Sequence, residues 1–175
     1  MKLTTIQSEA KKFILNNDRT VINGEARGGK STIILDIAYE WKMDLLDDYI
    51  DSPTIFVVSD QPHWMYHRFN LLAFDDNDIR HKPARVWIPP KSVSFVDREQ
   101  SLPFLVNRDC VVFVDGCDIS SRLWKELEDT RVKKICIMTC DRMEIDSALG
   151  FVEHHMPPID VMDHFESEYQ RILTK

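Results

Sequence analysis

The sequence predicts an α/β protein in three layers, a mostly parallel sheet with helices on both faces. Three observations predict it. Apolar runs at 20–23, 54–59, 110–115 and 134–139 have the near-continuous character of parallel strands buried on both sides. Stretches with apolar residues at helical spacing alternate with them, the order of a doubly wound sheet. A glycine-rich turn, Gly24 to Gly29, joins the first run to the helix behind it.

The elements follow in chain order. Leu3, Ile6, Ala10, Phe13 and Ile14 form a helical stripe, and Thr4 with Gln7 three residues on makes a capping box. Asn16-Asn17-Asp18 ends that helix before the first strand. The helix after the glycine turn is expected from Lys30 to about Leu46, with Ile33, Ile34, Ile37, Trp41 and Leu45 on its buried face. A strand over 54–59 leads to a helix over 63–72. Residues 74–78 form an acidic loop without the glycine and closing glutamate of a calcium site. The runs 85–88 and 93–96, split by Pro89-Pro90, read as a strand pair or an added hairpin. After the strand at 110–115 come a helix over 119–130, a strand over 134–139, the start of a fifth strand at Phe151-Val152, and a closing amphipathic helix over 159–173. No linker or repeat interrupts the 175 residues, so residues 1–175 are expected to form a single domain.

The glycine turn carries the chemistry. Gly24 to Ser31 fits G-x-x-x-x-G-K-[ST], and three of the chain's five glycines lie within it. Such a loop points successive N–H groups into one concavity, where the helix N-terminus adds its positive dipole end; both favour phosphate oxygens. Gly24, Glu25, Ala26, Arg27, Gly28, Gly29, Lys30, Ser31 and Thr32 are therefore the expected nucleotide-binding residues. Lys30 would reach the β- and γ-phosphates, and the Ser31 hydroxyl would ligate Mg²⁺. The expected cofactors are ATP and Mg²⁺.

Composition bounds the partners. A hydrophobic fraction of 43% and a charged fraction of 29% are ordinary for a globular protein. No apolar run is long enough to cross a membrane, and the opening residues do not read as a signal segment, so a cytoplasmic setting is expected. The net charge of −7 argues against broad non-specific nucleic-acid binding. Cysteines 110, 117, 136 and 140 read as reduced thiols, since no C-x-x-C spacing marks a metal site.

Asp115 follows an apolar strand, where a carboxylate can hold Mg²⁺ directly or through water. Asp118 and Asp60 are the candidates to activate an attacking water; Asp118 alternatively caps the helix that follows. Thr139 ends its strand either as a γ-phosphate sensor or as a β-branched strand residue.

This order of elements resembles the ATPase core of helicases and phage large terminases, over roughly residues 3–142. The resemblance rests on Leu3-Thr4-Thr5-Ile6-Gln7, on the phosphate loop with its basic Arg27, and on the strands ending at Asp60 and Cys140. It implies a RecA-like P-loop NTPase domain, an adenine contact for Gln7, and a cis role for Arg27 on the γ-phosphate. It also implies a nucleic acid, or a protein that processes one, as partner in a bacterial or virus-infected cell. The family's acidic pair after the strand is replaced by Asp115-Gly116, and within these 175 residues the core is expected without a second helicase lobe or nuclease domain. The leading expectation is a Mg-dependent ATPase with weak intrinsic turnover. The alternatives are a small-molecule or nucleotide kinase, which would want an arginine-rich lid, and a non-catalytic regulator built on the same fold.

Overall fold

A computed structural model describes residues 3–26, 28–43, 45–46, 54–74, 92–99, 109–116, 119–140 and 150–159. The elements are α1 (Thr5–Leu15), β1 (Arg19–Gly24), α2 (Lys30–Lys42), β2 (Thr54–Ser59), α3 (Pro62–Phe74), β3 (Ser92–Asp97), β4 (Cys110–Asp115), α4 (Ser121–Leu127), β5 (Val132–Thr139) and β6 (Val152–Met156). The strands form one sheet in the order β3-β2-β4-β5-β1-β6, and every pairing is parallel.

Alternation along the strands separates two cores. Ile22, Ile55, Val57, Val111, Phe113, Cys136 and Met138 face one side, where they pack with Ala10 and Ile14 of α1, Ile33 to Trp41 of α2, and Met65 and Phe69 of α3. Val21, Phe56, Val58, Val112, Val114, Ile135 and Ile137 face the other, against Leu123 and Leu127 of α4. The central strands β2 and β4 are buried along nearly their whole length because neither of their faces meets water, whereas the edge strand β6 is largely exposed. Helices thus cover both faces, as the alternating runs require.

Several boundaries differ from the sequence reading. The helix behind the glycine turn ends at Lys42, where the Met43 N–H closes onto the Tyr39 carbonyl. Leu45 therefore falls beyond the helix and is 63% exposed instead of continuing the buried stripe. The run at 93–96 lies in β3, which joins the main sheet parallel to β2 from Ser92 to Asp97. The start of a strand at 151–152 becomes β6, which pairs with β1. Residues 75–78, the run at 85–88 and the closing helix beyond Ile159 lie outside the described residues. No described helix is long and apolar enough to cross a membrane.

Two contacts fix the glycine turn on this frame. Lys11 of α1 binds Asp36 of α2 at 2.7 Å and Glu40 at 2.6 Å, and Asp36 is buried. At the other edge, Gly24 lies so close to β6 that a Cβ there would stand 3.0 Å from Met156 Cβ and 3.1 Å from its carbonyl oxygen. Gly24→Ala should therefore destabilise the fold by the ~1–3 kcal/mol typical of overpacking. Urea denaturation measures this; an unchanged midpoint would contradict the packing.

Candidate functional site at the carboxyl edge of the sheet

Parallel strands put all their carboxyl ends on one edge, and the motif residues collect there. β1 delivers Gly24 and the loop to Gly29. Gly29, the N-cap of α2, has φ 71° and ψ 20°, a left-handed conformation open to glycine at little cost. The turn is closed by Gly28 N–H to the Glu25 carbonyl at 3.2 Å and Thr32 N–H to the Gly29 carbonyl at 3.1 Å. Thr32 itself is buried.

Lys30 is only 6% exposed. Its ammonium donates to the carbonyls of Gly24 at 2.8 Å and Glu25 at 2.6 Å, and lies 3.5 Å from Cys140 Sγ. The charge is held at the mouth of the loop by acceptors of the loop itself. One residue on, the Ser31 hydroxyl donates to Asp115, 2.8 and 3.0 Å from its two carboxylate oxygens. Loop and strand end thus meet across β5, which separates β1 from β4. Thr139 ends β5 between them, buried and in register with Asn23.

Gln7 makes contacts on two sides. It completes the capping box with Thr4, at 3.0 and 3.2 Å, and its Nε2 donates to the Gly29 carbonyl at 3.4 Å. The first helix is thereby tied to the turn. Asp60, one residue past β2, is 43% exposed and pairs with Arg98 at 3.0 Å. The alternative cap assignment to Asp118 does not hold: Ser120 is the N-cap of α4, accepting from Leu123 N–H at 3.2 Å. Asp118 and Arg27 themselves lie outside the described residues.

Gly116 has φ 68°, and its N–H donates to the Met138 carbonyl at 2.9 Å. Among the described residues nothing stands within 4 Å of where a Cβ would be, so the backbone and not crowding favours glycine. A glutamate here would carry the ~1–2 kcal/mol cost of a left-handed L-residue. The turn after β4 therefore favours glycine directly after Asp115.

Two residues of the site escape the sequence reading. Cys140 touches Lys30 because β5 ends at the loop, and its position directly after Thr139 was the available signal. Arg98 reaches Asp60 from the end of β3, in a stretch with no local pattern. The other described thiols are packing groups: burial pushes Cys110 up to about 11 and Cys136 up to about 12, far from thiolate chemistry at neutral pH. Among the described residues, no group of three or more His, Cys, Asp or Glu is placed to hold a metal ion.

Comparisons with known proteins bear on the fold. No family model matches the chain, and no curated protein sequence matches it. Among solved structures, the chain is similar to the large terminase of a thermophilic bacteriophage, solved in complex with ADP. The two share 13% identity at a TM-score of 0.54, over 97% of this chain and 50% of that one. The fold is of the P-loop NTPase type. The chain spans half the length of this structural neighbour.

Burial raises the Asp115 carboxyl above its ordinary value of 3.8; the Ser31 hydrogen bond and the Lys30 charge oppose this, and the Asp60 charge adds to it. A raised folded-state pKa means the folded protein holds this proton more tightly than the unfolded chain. Stability is therefore lost as pH rises from 3.8 through the folded value, and the ionised group is a cost at neutral pH. Asp115→Asn should raise the melting temperature at pH 7, by ~2–4 °C for each kcal/mol relieved. The gain should shrink below pH 3.8, where the carboxyl is protonated in both states. Calorimetric melting checks it, and a lower melting temperature at pH 7 would contradict it.

Proposed function

We propose that this chain binds ATP with Mg²⁺ at the carboxyl edge of its sheet and hydrolyses it slowly, acting with a nucleic acid or a protein that processes one. The observation that carries the reading is the contact of Ser31 with both oxygens of Asp115, beside Lys30 at the head of the loop. Hydroxyl and carboxylate oxygens suit Mg²⁺, which is usually held by one or two protein oxygens together with substrate phosphates. Ser31 and Asp115 would hold it, and when bound it neutralises charge on the phosphates. The nucleotide-bound neighbour supports the same reading at the level of the fold.

The chain's own groups then have distinct tasks. Loop N–H groups and the start of α2 receive the phosphates. Lys30 exchanges its two carbonyl acceptors for phosphate oxygens. Thr139 lies between the loop and Asp115, where it senses the terminal phosphate. Arg27 steadies charge developing there. Water activation falls to Asp118 or Asp60, and Asp60 must first give up Arg98. General-base help contributes typically ~10²–10⁴-fold, so the glycine after Asp115 leaves basal turnover low.

Isothermal calorimetry tests the proposal directly. Mg·ATP should bind the parent protein, and Lys30→Ala should weaken it about ten- to a hundredfold, the value of a hydrogen bond to a charged group. Phosphate release should stay below the ~10 s⁻¹ of a median enzyme. No binding of Mg·ATP or Mg·GTP at millimolar nucleotide, or equal binding by Lys30→Ala, would overturn the reading.

A further inference from the structure

Gln7 stands in the first turn of α1 and is only 1% exposed. Glutamine is seldom buried this completely, and a buried amide must be bonded. Both ends of this one are in use. Its Oε1 accepts the Thr4 N–H at 3.0 Å, and its Nε2 donates to the Gly29 carbonyl at 3.4 Å. A flipped amide would set donor against donor at Thr4 and acceptor against acceptor at Gly29, so its orientation is fixed. One turn further along the same helix face, Lys11 holds Asp36 and Glu40 of α2. Helix α1 therefore grips α2 at two points, along its length and at its N-cap.

The N-cap is where the grip matters. Gly29 has no side chain to hold it, and its left-handed φ of 71° is one of several conformations that glycine adopts at similar cost. Its carbonyl accepts from Thr32 N–H at 3.1 Å and from Gln7. The peptide joining Gly29 to Lys30 is planar and trans, so its C=O and N–H point in opposite directions. A side chain that fixes the Gly29 oxygen thus also fixes the Lys30 N–H. That N–H belongs to the first turn of α2, where donors lack an acceptor within the helix and suit an anion. Donation to the carbonyl also polarises the peptide and strengthens its N–H as a donor. Burial, meanwhile, leaves the Gln7 amide no open face for a purine ring.

We infer that Gln7 is a positioning residue for the phosphate loop, acting through the Gly29–Lys30 peptide on the polyphosphate of the nucleotide and not on its base. The role rests on the nucleotide reading above and narrows it: Gln7 contributes equally to any ligand that carries a triphosphate, with or without a purine.

Isothermal calorimetry tests this with Mg·ATP, Mg·GTP and inorganic tripolyphosphate with Mg²⁺. Gln7→Met keeps the length of the side chain and loses the amide. It should weaken all three by the same factor, about three- to tenfold, the value of one neutral hydrogen bond. Thr4→Ala is the control for ordinary helix support. It removes the capping hydroxyl, so it should lower the melting temperature and leave the three affinities unchanged. Should Gln7→Met not fold, Gln7→Glu replaces it, since glutamate keeps the capping box but brings no N–H to Gly29. A loss confined to Mg·ATP overturns the inference, because Gln7 would then read the base. Unchanged affinities also overturn it, as does a loss in Thr4→Ala equal to that in the Gln7 variant. A parent protein that binds none of the three sinks the nucleotide reading itself, so the two failures are told apart.

Discussion

The Ser31 hydroxyl, donating to the Asp115 carboxylate, joins parts of the chain 84 residues apart. The distances are possible only because β5 lies between the strands that carry the two residues, and because all three run the same way. One reversed strand would send its end to the opposite edge. The rest of the structure serves that placement. Neither partner is comfortable alone: Asp115 is a partly buried carboxylate whose ionisation burial opposes, and Ser31 stands in the first turn of a helix whose N-cap glycine offers no side-chain bond. A carboxylate held at the strand ends by a hydroxyl, with burial opposing its ionisation, is a candidate for a functional site.

Support for the loop comes from three sides. Lys11 holds buried Asp36, so α1 cannot slide on α2 without stranding a carboxylate in the core. That tie keeps Gln7 within reach of Gly29. From the opposite edge, β6 brings Met156 so close to Gly24 that a Cβ there would stand 3.0 Å from the Met156 Cβ. Below, Ile22, Met138 and Phe113 fill the core under the strand ends with Ile33, Ile34 and Ile37 of α2. Gly24 and Gly29, the two ends of the glycine turn, are thereby held in place.

Most of this was legible in the sequence wherever a local rule governs it. The turn from Gly24 to Ser31 reads directly because phosphate-loop geometry demands glycine at fixed spacing. The apolar runs read as strands because parallel strands are buried on both faces. The capping box of Thr4 and Gln7 reads for the same local reason. The failures involve either competing local signals or partners distant in sequence. Nothing near Leu45 says that α2 stops at Lys42, and nothing in 93–96 names β2 as the strand it pairs with. Ser120, not Asp118, caps α4: two candidate caps stood close together, and the helix starts at Ser121. Arg98 acquires meaning only once β3 is known to end beside Asp60. Cys140 acquires its meaning from Lys30, which lies 110 residues away in the sequence.

The central claim is that Ser31 and Asp115 act as one unit in receiving a metal-bound nucleotide. A double-mutant cycle of Ser31→Ala and Asp115→Asn, read as Mg·ATP affinity, tests it most directly. Strong non-additivity is expected, an interaction of ~0.5–3 kcal/mol, because either change alone already breaks the pair. Affinity losses that simply add would show that the two residues act independently, and would contradict the claim.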